Sequence, residues 1–477
     1  MIRPKAHPAA AWAVALIGSL LTALPQPAPT GTIQVSPNRR FLEHEDGRPF
    51  FWLGDTAWLL FQKLDRAETG HYLEDRRAKG FNVIQVMVLH TVESRSAGNA
   101  AALVDGNPAM PLVTPGNRPG HDGEYDYWDH VEWVVDMAAM KGIYVAMVPA
   151  WGSIVKSGRL HQGNVEAYTR FLARRFRNRP NVIWLVGGDL QGDIQPEVWR
   201  AMGRTIKQIC PHQLVTYHPF GRTQSSTWFH AENWLDFNMF QSGHRRYDQD
   251  TSPGAKGEDN WRYVLEDLAR QPPKPTIDGE PSYEGIPQGL HDPKEPLWTD
   301  RDVRRYAYWS VLAGAFGHTY GHASVMQMRK SSDARSSYGD VKTWDQAIND
   351  PGAGQMQHLK RLVLSRPVFE RVHDQALIAG EAGERYQRVL AARGRDYIFA
   401  YTFTGRAFDV RMGRIGGKQV RAWWFNPRDG RSTAIGALPN RGIHRFQPPG
   451  VPGEGHDWVL VLDNATRQYG PPGANPN

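Results

Sequence analysis

A chain of 477 residues is too long for one ordinary domain and long enough to bury at least one large core, which predicts two domains. With 40% hydrophobic and 22% charged residues the composition excludes a disordered chain, and a formal charge of +7 is too mild a bias to point to nucleic acid. A single cysteine, Cys210, excludes an internal disulfide and a thiolate metal cluster, while 17 tryptophans supply broad flat side chains of the kind that sugar rings stack on.

The chain opens with Arg3 and Lys5, an apolar run from Ala9 to Leu24, and a Pro- and Ala-rich stretch to about Thr30. That is the layout of a secretory signal, so residues 1–29 are expected to be a signal peptide and the protein to be exported, to the periplasm or beyond the cell. The apolar run is short for a membrane-spanning helix, and an uncleaved anchor is the alternative. No later segment looks transmembrane, so no stable membrane association is expected after cleavage.

From Phe50 to about Ala323 one unit repeats: a short apolar run, a polar or Gly-containing loop, then an amphipathic stretch. The apolar runs are 50–53, 83–89, 143–148, 182–186, 214–217, 235–240, 276–277 and 315–320. Helical patterns lie between most of them, at 67–79, 128–140, 165–176, 197–209, 261–268 and 303–312, whereas the link 221–233 has no convincing helix. Eight strands alternating with helices over roughly 250 residues predict a (β/α)8 barrel, assigned to residues 30–366. A hairpin around Asp46-Gly47 is expected to close the barrel bottom, and the long Gly/Pro/Asn-rich insertion from His90 to Tyr125 is expected on the catalytic rim. The arginines crowding the helix at 165–176 and its end (Arg170, Arg174, Arg175, Arg177, Arg179) read as a solvated face. Beyond Pro367 short strand-like runs separated by turn residues predict a small all-β sandwich over 367–465, followed by a disordered Gly/Pro-rich tail at 466–477.

In such a barrel the reacting groups sit at the C-terminal ends of strands. The fourth run ends Val186-Gly187-Gly188-Asp189, and the glycines there weaken a strand while letting a ligand or backbone come close. The seventh reads Thr276-Ile277-Asp278-Gly279-Glu280-Pro281, again delivering a carboxylate beside Gly and Pro. Strands four and seven face each other across the mouth, so Asp189 and Glu280 can address one bond from two sides. Cleaving a glycosidic bond needs that pair, one carboxylic acid to protonate the departing oxygen and one carboxylate to attack or to activate water. Asp189 is assigned as acid/base and Glu280 as nucleophile, with Asp278 and Asp193 as local competitors. Other strand ends supply candidate substrate-binding residues: Asp55 and Trp58, His90, Trp151, His218, Gln241 with His244, Tyr283, and His318 with His322. No cofactor is called for.

Four segments resemble the apiosidase-type glycoside hydrolases: Phe51-Trp52-Leu53-Gly54-Asp55-Thr56-Ala57-Trp58, Gly80-Phe81-Asn82-Val83-Ile84-Gln85, Trp184-Leu185-Val186-Gly187-Gly188-Asp189 and Asp278-Gly279-Glu280-Pro281. Ala422-Trp423-Trp424-Phe425-Asn426-Pro427-Arg428-Asp429-Gly430 is similar to that family's small C-terminal β domain, which has been labelled collagen-binding. The resemblance implies a barrel related to retaining glycosidases, with the acid/base after strand four and the nucleophile after strand seven. It also implies a pectic substrate, the apiose-linked side chains of rhamnogalacturonan II. Much of that wider clan has Asn-Glu where this chain has Gly188-Asp189, so the shorter carboxylate must come nearer the bond.

Two rival readings make different demands. A metal-dependent barrel hydrolase needs Asp55, His90, His218, His318 and His322 to converge, although the first strand lacks a His-x-His pair and no HExxH is present. A non-catalytic carbohydrate- or matrix-binding protein does not need the two strand-end carboxylates.

Overall fold

A computed structural model of the chain describes residues 31–474, apart from 122, 253, 335–337 and 340–341. The expected signal segment, 1–29, lies outside the described residues.

Eight parallel strands form the predicted barrel: β1 (Trp52–Thr56), β2 (Val83–Met87), β3 (Tyr144–Val148), β4 (Val182–Leu190), β5 (Val215–Pro219), β6 (Asn238–Gln241), β7 (Thr276–Asp278) and β8 (Gly317–Tyr320). β1 to β5 pair in sequence order, β8 pairs with β1, and β6 pairs with β7. Backbone bonds close the remaining seams, Asp236 N–H to Val215 O at 2.9 Å and Phe316 N–H to Thr276 O at 3.2 Å. The first three strands are buried on both faces, which is why they read as apolar runs rather than as alternation. Their side chains still divide with a period of two. Val83, Met87, Tyr144, Ala146, Val148, Ile183 and Leu185 belong to one apolar cluster with Phe237, Met239 and Ile277, while Ile84, Val86, Val145, Met147, Val182 and Trp184 join the cluster formed with the surrounding helices.

The helices follow their sequence signals. α1 (Arg66–Ala78) starts at a reciprocal cap between Asp65 and Glu68, α2 (Tyr127–Met140) at Asp126 and Asp129, and α6 (Asp300–Ala313) at Thr299 and Asp302. Between them lie α3 (Val165–Phe176), α4 (Pro196–Ile209) and α5 (Asn260–Leu268). The link between β5 and β6 holds no full helix, only a two-residue strand, Thr223–Gln224, that pairs antiparallel with β6, and a four-residue helical turn, Ser226–Phe229. Among the described residues no helix is long and apolar enough to cross a membrane.

After α7 (Pro351–Leu364) the chain forms a six-stranded antiparallel sheet facing a three-stranded one. Along Tyr397–Thr402, Ile398 and Ala400 pack into the β-domain core, while Tyr397, Phe399 and Tyr401 pack against the barrel. Tyr401 stacks on Tyr308 of α6 with centroids 4.8 Å apart. Arg366 grips buried Asp463 through two 2.7 Å bonds, and Arg304 reaches buried Asp457 twice at 3.1 Å. Removing one member of such a buried pair strands a charge, typically at a cost of ~3–5 kcal/mol.

Of the tail expected to be disordered, 466–477, the structure describes residues 466–474. Arg421 donates to Arg467 O and Tyr469 O, Arg366 to Gly470 O, and Arg361 to Gly473 O. Arginine donors from the folded domains take up the backbone carbonyls of a stretch whose composition alone suggested solvation. Residues 475–477 lie outside the described residues.

Candidate active site

At the end of β4 the backbone turns left-handed for three residues in a row, Gly187 (φ 101°), Gly188 (φ 119°) and Asp189 (φ 53°). Gly187 pairs with His218 and Leu190 with Pro219, so Gly188 and Asp189 form a bulge that thrusts the Asp189 carboxylate out of the sheet. A side chain at 188 has no room: its Cβ would stand 2.8 Å from the Trp151 ring and 3.1 Å from the Gly152 nitrogen. Gly188→Ala is therefore expected to cost about 1–3 kcal/mol of stability through strain at positive φ. It is also expected to lower kcat/KM by roughly 100-fold by displacing Asp189. Thermal unfolding and steady-state kinetics on the same preparation separate the two effects.

Glu280, just past β7, is held by two histidines. His244 Nε2 lies 3.2 Å from Oε1 and His218 Nε2 lies 3.2 Å from Oε2. The Asp189 backbone N–H points at His218 Nδ1 (3.4 Å), so Nδ1 is the acceptor and the ring proton sits on Nε2, facing Glu280. His218 thus spans from the bulge carrying one carboxylate to the other carboxylate. Its ring is wedged beside Trp58 and Trp151, with centroids 5.3 and 5.9 Å away.

The two carboxyl groups are driven in opposite directions. Burial, reinforced by the neighbouring Glu280 charge, pushes Asp189 up to about 7. Burial also opposes ionisation of Glu280, but His218 and His244 outweigh it and hold that carboxylate well below its usual range. A protonated acid and an ionised carboxylate near neutral pH are the two states that acetal chemistry divides between such groups.

Both carboxylates open into a cavity of about 470 Å³, lined also by Trp58, His90, Trp151, Phe220, Gln241, His244 and Tyr338. Trp58 and Trp151 stand together, their rings 5.4 Å apart. Tyr283 is buried beneath, accepting from Trp58 Nε1 (3.2 Å) and packing its ring 4.7 Å from His244. Trp58, His90, Trp151, His218, Gln241 and Tyr283 are thus brought together around Asp189 and Glu280.

Three expected substrate-binding residues are elsewhere. Asp55 is fully buried, accepts from Tyr72 Oη at 2.6 Å and pairs with Arg76 Nε at 2.8 Å, so it neutralises a guanidinium behind β1. His318 is buried with Nδ1 3.2 Å from Ser310 Oγ, and burial presses its pKa down to about 3. His322 caps the turn after β8, accepting from Ser324 N–H, with Nε2 3.0 Å from Asp350. The metal reading needed Asp55, His318 and His322 to meet His90 and His218. These partners hold them apart, and among the described residues no group of three or more His, Cys, Asp or Glu is placed to hold an ion.

The competitors also have other work. Asp278 takes Ser242 Oγ–H at 2.7 Å and Asn260 Nδ2–H at 3.0 Å, tying β7 to β6 and α5, and burial raises it to about 7. Asp193 is exposed and does not line the cavity. Sequence reasoning overlooked Phe220, Gly221, Arg222 and Arg245. The signal available was position alone, since Phe220-Gly221-Arg222 follows β5 and Arg245 follows His244 just after β6.

Residues 36–370 match the family described as "Apiosidase-like, catalytic domain", well over half of the chain. The chain belongs to this apiosidase-like family. Residues 372–463 of this apiosidase-like chain match a second family, described as "Putative collagen-binding domain of a collagenase". It is similar to a solved structure titled "Glycoside hydrolase" at 47% identity and TM-score 0.87, covering 92% of this chain and 98% of that one. A glycoside hydrolase family 5 structure from Bacteroides vulgatus ATCC 8482 is similar at 44% identity and TM-score 0.88, covering 94% and 96%. A second structure from that organism, at 14% identity and TM-score 0.63, shares the fold. No curated protein matches the chain. With the barrel and the family in place, the apiosidase-like chain is a glycoside hydrolase with a family 5-like architecture.

Proposed function

We propose that this apiosidase-like hydrolase cleaves a glycosidic bond in pectic polysaccharide by a two-step retaining mechanism, with Asp189 as acid/base and Glu280 as nucleophile. The observation that carries the assignment is the opposite bias on the two carboxyl groups, Asp189 raised and Glu280 lowered within one cleft. In the first step the Glu280 carboxylate attacks the anomeric carbon while Asp189 donates its proton to the departing oxygen. In the second, Asp189 takes a proton from water, which displaces Glu280 and regenerates both groups. His218 and His244 keep Glu280 ionised and aimed, and the Trp58–Trp151 pair offers an apolar wall for a sugar face.

The substrate reading follows family membership and favours apiose-linked side chains of rhamnogalacturonan II. Action on a plant polysaccharide also fits export, for which the first 29 residues supply the sequence signal. The β domain acts as a stabilising module, a role supported by Tyr401 on Tyr308 and by the Arg304 and Arg366 ion pairs. The direct test is to incubate the protein with a panel of pectic and hemicellulosic oligosaccharides and identify the sugar released. Release from apiose-containing material is expected, and success elsewhere with failure there overturns the substrate while sparing the mechanism.

A further inference from the structure

The loop from His244 to Asp259, between β6 and α5, contains no helix or strand, so its shape is set by what it rests on. Its start belongs to the cleft: Gly243 and His244 line the cavity, and His244 Nε2 lies 3.2 Å from Glu280. Toward the barrel mouth it is pinned to the segment after β7. Gly289 N–H donates to His244 O at 2.7 Å, and Arg246 donates to Glu295 at 2.6 Å and to Gln288 at 3.0 Å.

The outer side of the loop rests on the β domain. Around the turn Arg385–Gln387, Arg385 covers the Tyr247 ring at 4.9 Å, Arg388 covers Trp261 at 3.8 Å, and the Tyr386 ring packs 5.7 Å from that of Tyr247. Tyr386 also donates its hydroxyl to Glu258 Oε1 at 2.7 Å. Glu258 is wholly buried, and its other oxygen meets Arg305, which is wholly buried too. The Arg305 guanidinium is packed among Tyr306 and Trp309 of the barrel and Tyr386 and Phe403 of the β domain, all within 5.4 Å. Besides Tyr386, Glu258 Oε1 accepts the backbone N–H of Tyr247, at 3.3 Å.

A buried carboxylate oxygen that loses a donor is costly to leave unpaired. Without the Tyr386 hydroxyl, Oε1 has the Tyr247 N–H to draw in, and only Arg245 and Arg246 separate Tyr247 from His244. Movement at Tyr247 therefore reaches the ring that meets Glu280. The contacts of Tyr401 with Tyr308 and of Arg366 with Asp463 lead instead to α6 and to the end of α7, away from the loop that lines the cleft.

We propose that Tyr386 of the β domain is a positioning residue for the hydrolase reaction: through Glu258 and Tyr247 it fixes the loop that presents His244 to Glu280. The β domain thereby supports the active site as well as the fold. The consequence for rate rests on Glu280 acting in the chemistry, whereas the link from Tyr386 to His244 does not.

The experiment compares Tyr386→Phe with Tyr401→Phe in the full chain. Each variant keeps its ring and loses one donor to a buried carboxylate, since Tyr401 Oη donates to Asp457 at 3.1 Å. Tyr386→Phe is expected to lower kcat roughly tenfold with KM within about twofold of the native value, as small misplacements of an active-site group do. Tyr401→Phe should keep the native kcat, whatever either variant does to Tm. In protein carrying isotope-labelled histidine, the His244 ring signal in the NMR spectrum, assigned by its loss in His244→Gln, should move in Tyr386→Phe and stay in place in Tyr401→Phe. Native kcat in Tyr386→Phe, an unmoved His244 signal there, or equal changes in both variants overturns the proposal. Should Tyr386→Phe fail to fold, Arg385→Met/Arg388→Met loosens the same turn from the surface, and native kcat or an unmoved His244 signal in that variant overturns it. A chain inactive on every glycan, whose His244 signal still follows Tyr386 and not Tyr401, would refute the glycosidase mechanism and keep the link.

Discussion

Glu280→Ala is expected to lose kcat/KM by roughly 10⁴-fold or more, the scale on which removal of a nucleophile is felt. The loss is not a folding defect, because Glu280 sits at the cleft and its partners His218 and His244 are themselves seated by other contacts. Azide is small enough to occupy the vacated volume. On a substrate with an activated leaving group it should restore part of the rate and yield a glycosyl azide of inverted configuration. Rescue at Asp278→Ala in place of Glu280→Ala would reassign the nucleophile, but Asp278 already accepts from Ser242 and Asn260 and faces away from the cleft.

The second large effect belongs to Asp189 and depends on pH. Its carboxyl group is raised to about 7 by burial and by the charge on Glu280, so it stays protonated, and competent as an acid, at pH values below about 7. As pH rises through that value the acid is lost, and kcat/KM of the native enzyme should fall. Glu280, held low, stays ionised across the same range and sets only the acidic limb. Asp189→Asn should lower the rate by roughly 10²–10⁴-fold on unactivated glycosides. With a leaving group that departs without a proton, the first step should be nearly spared and its alkaline limb should vanish. An alkaline limb that survives unchanged in Asp189→Asn would assign it to another group.

The architecture was largely legible in the sequence for a physical reason. Barrel strands buried on both faces leave uninterrupted apolar runs, and the helices between them carry polar caps such as Asp65 with Glu68. Even the helix-poor link between β5 and β6 was visible as a gap in the pattern. The two carboxylates were legible because Gly-Gly-Asp and Asp-Gly-Glu-Pro are poor strand sequences, and what harms a strand needs another explanation.

Direction was not legible. Asp55, His318 and His322 lie at strand ends like Trp58 and His218, but a strand end does not say whether a side chain enters the cleft or turns to the layer behind. For Asp55 the answer depends on Arg76 in the following helix, and for His322 on Asp350, remote contacts that no local pattern encodes. Arg222 escaped notice for the opposite reason. It lies in the helix-poor link between β5 and β6, and its place in the cavity wall comes with contacts to Asp250 and Gln241, which the fold gathers around it.

Asp189 and Glu280 as a retaining pair are most directly tested by following the anomeric configuration of the first-formed sugar by proton NMR. The product should appear with the configuration of the bond cleaved and mutarotate only afterwards. Initial release of the opposite anomer would show a single displacement by water and would contradict Glu280 as nucleophile.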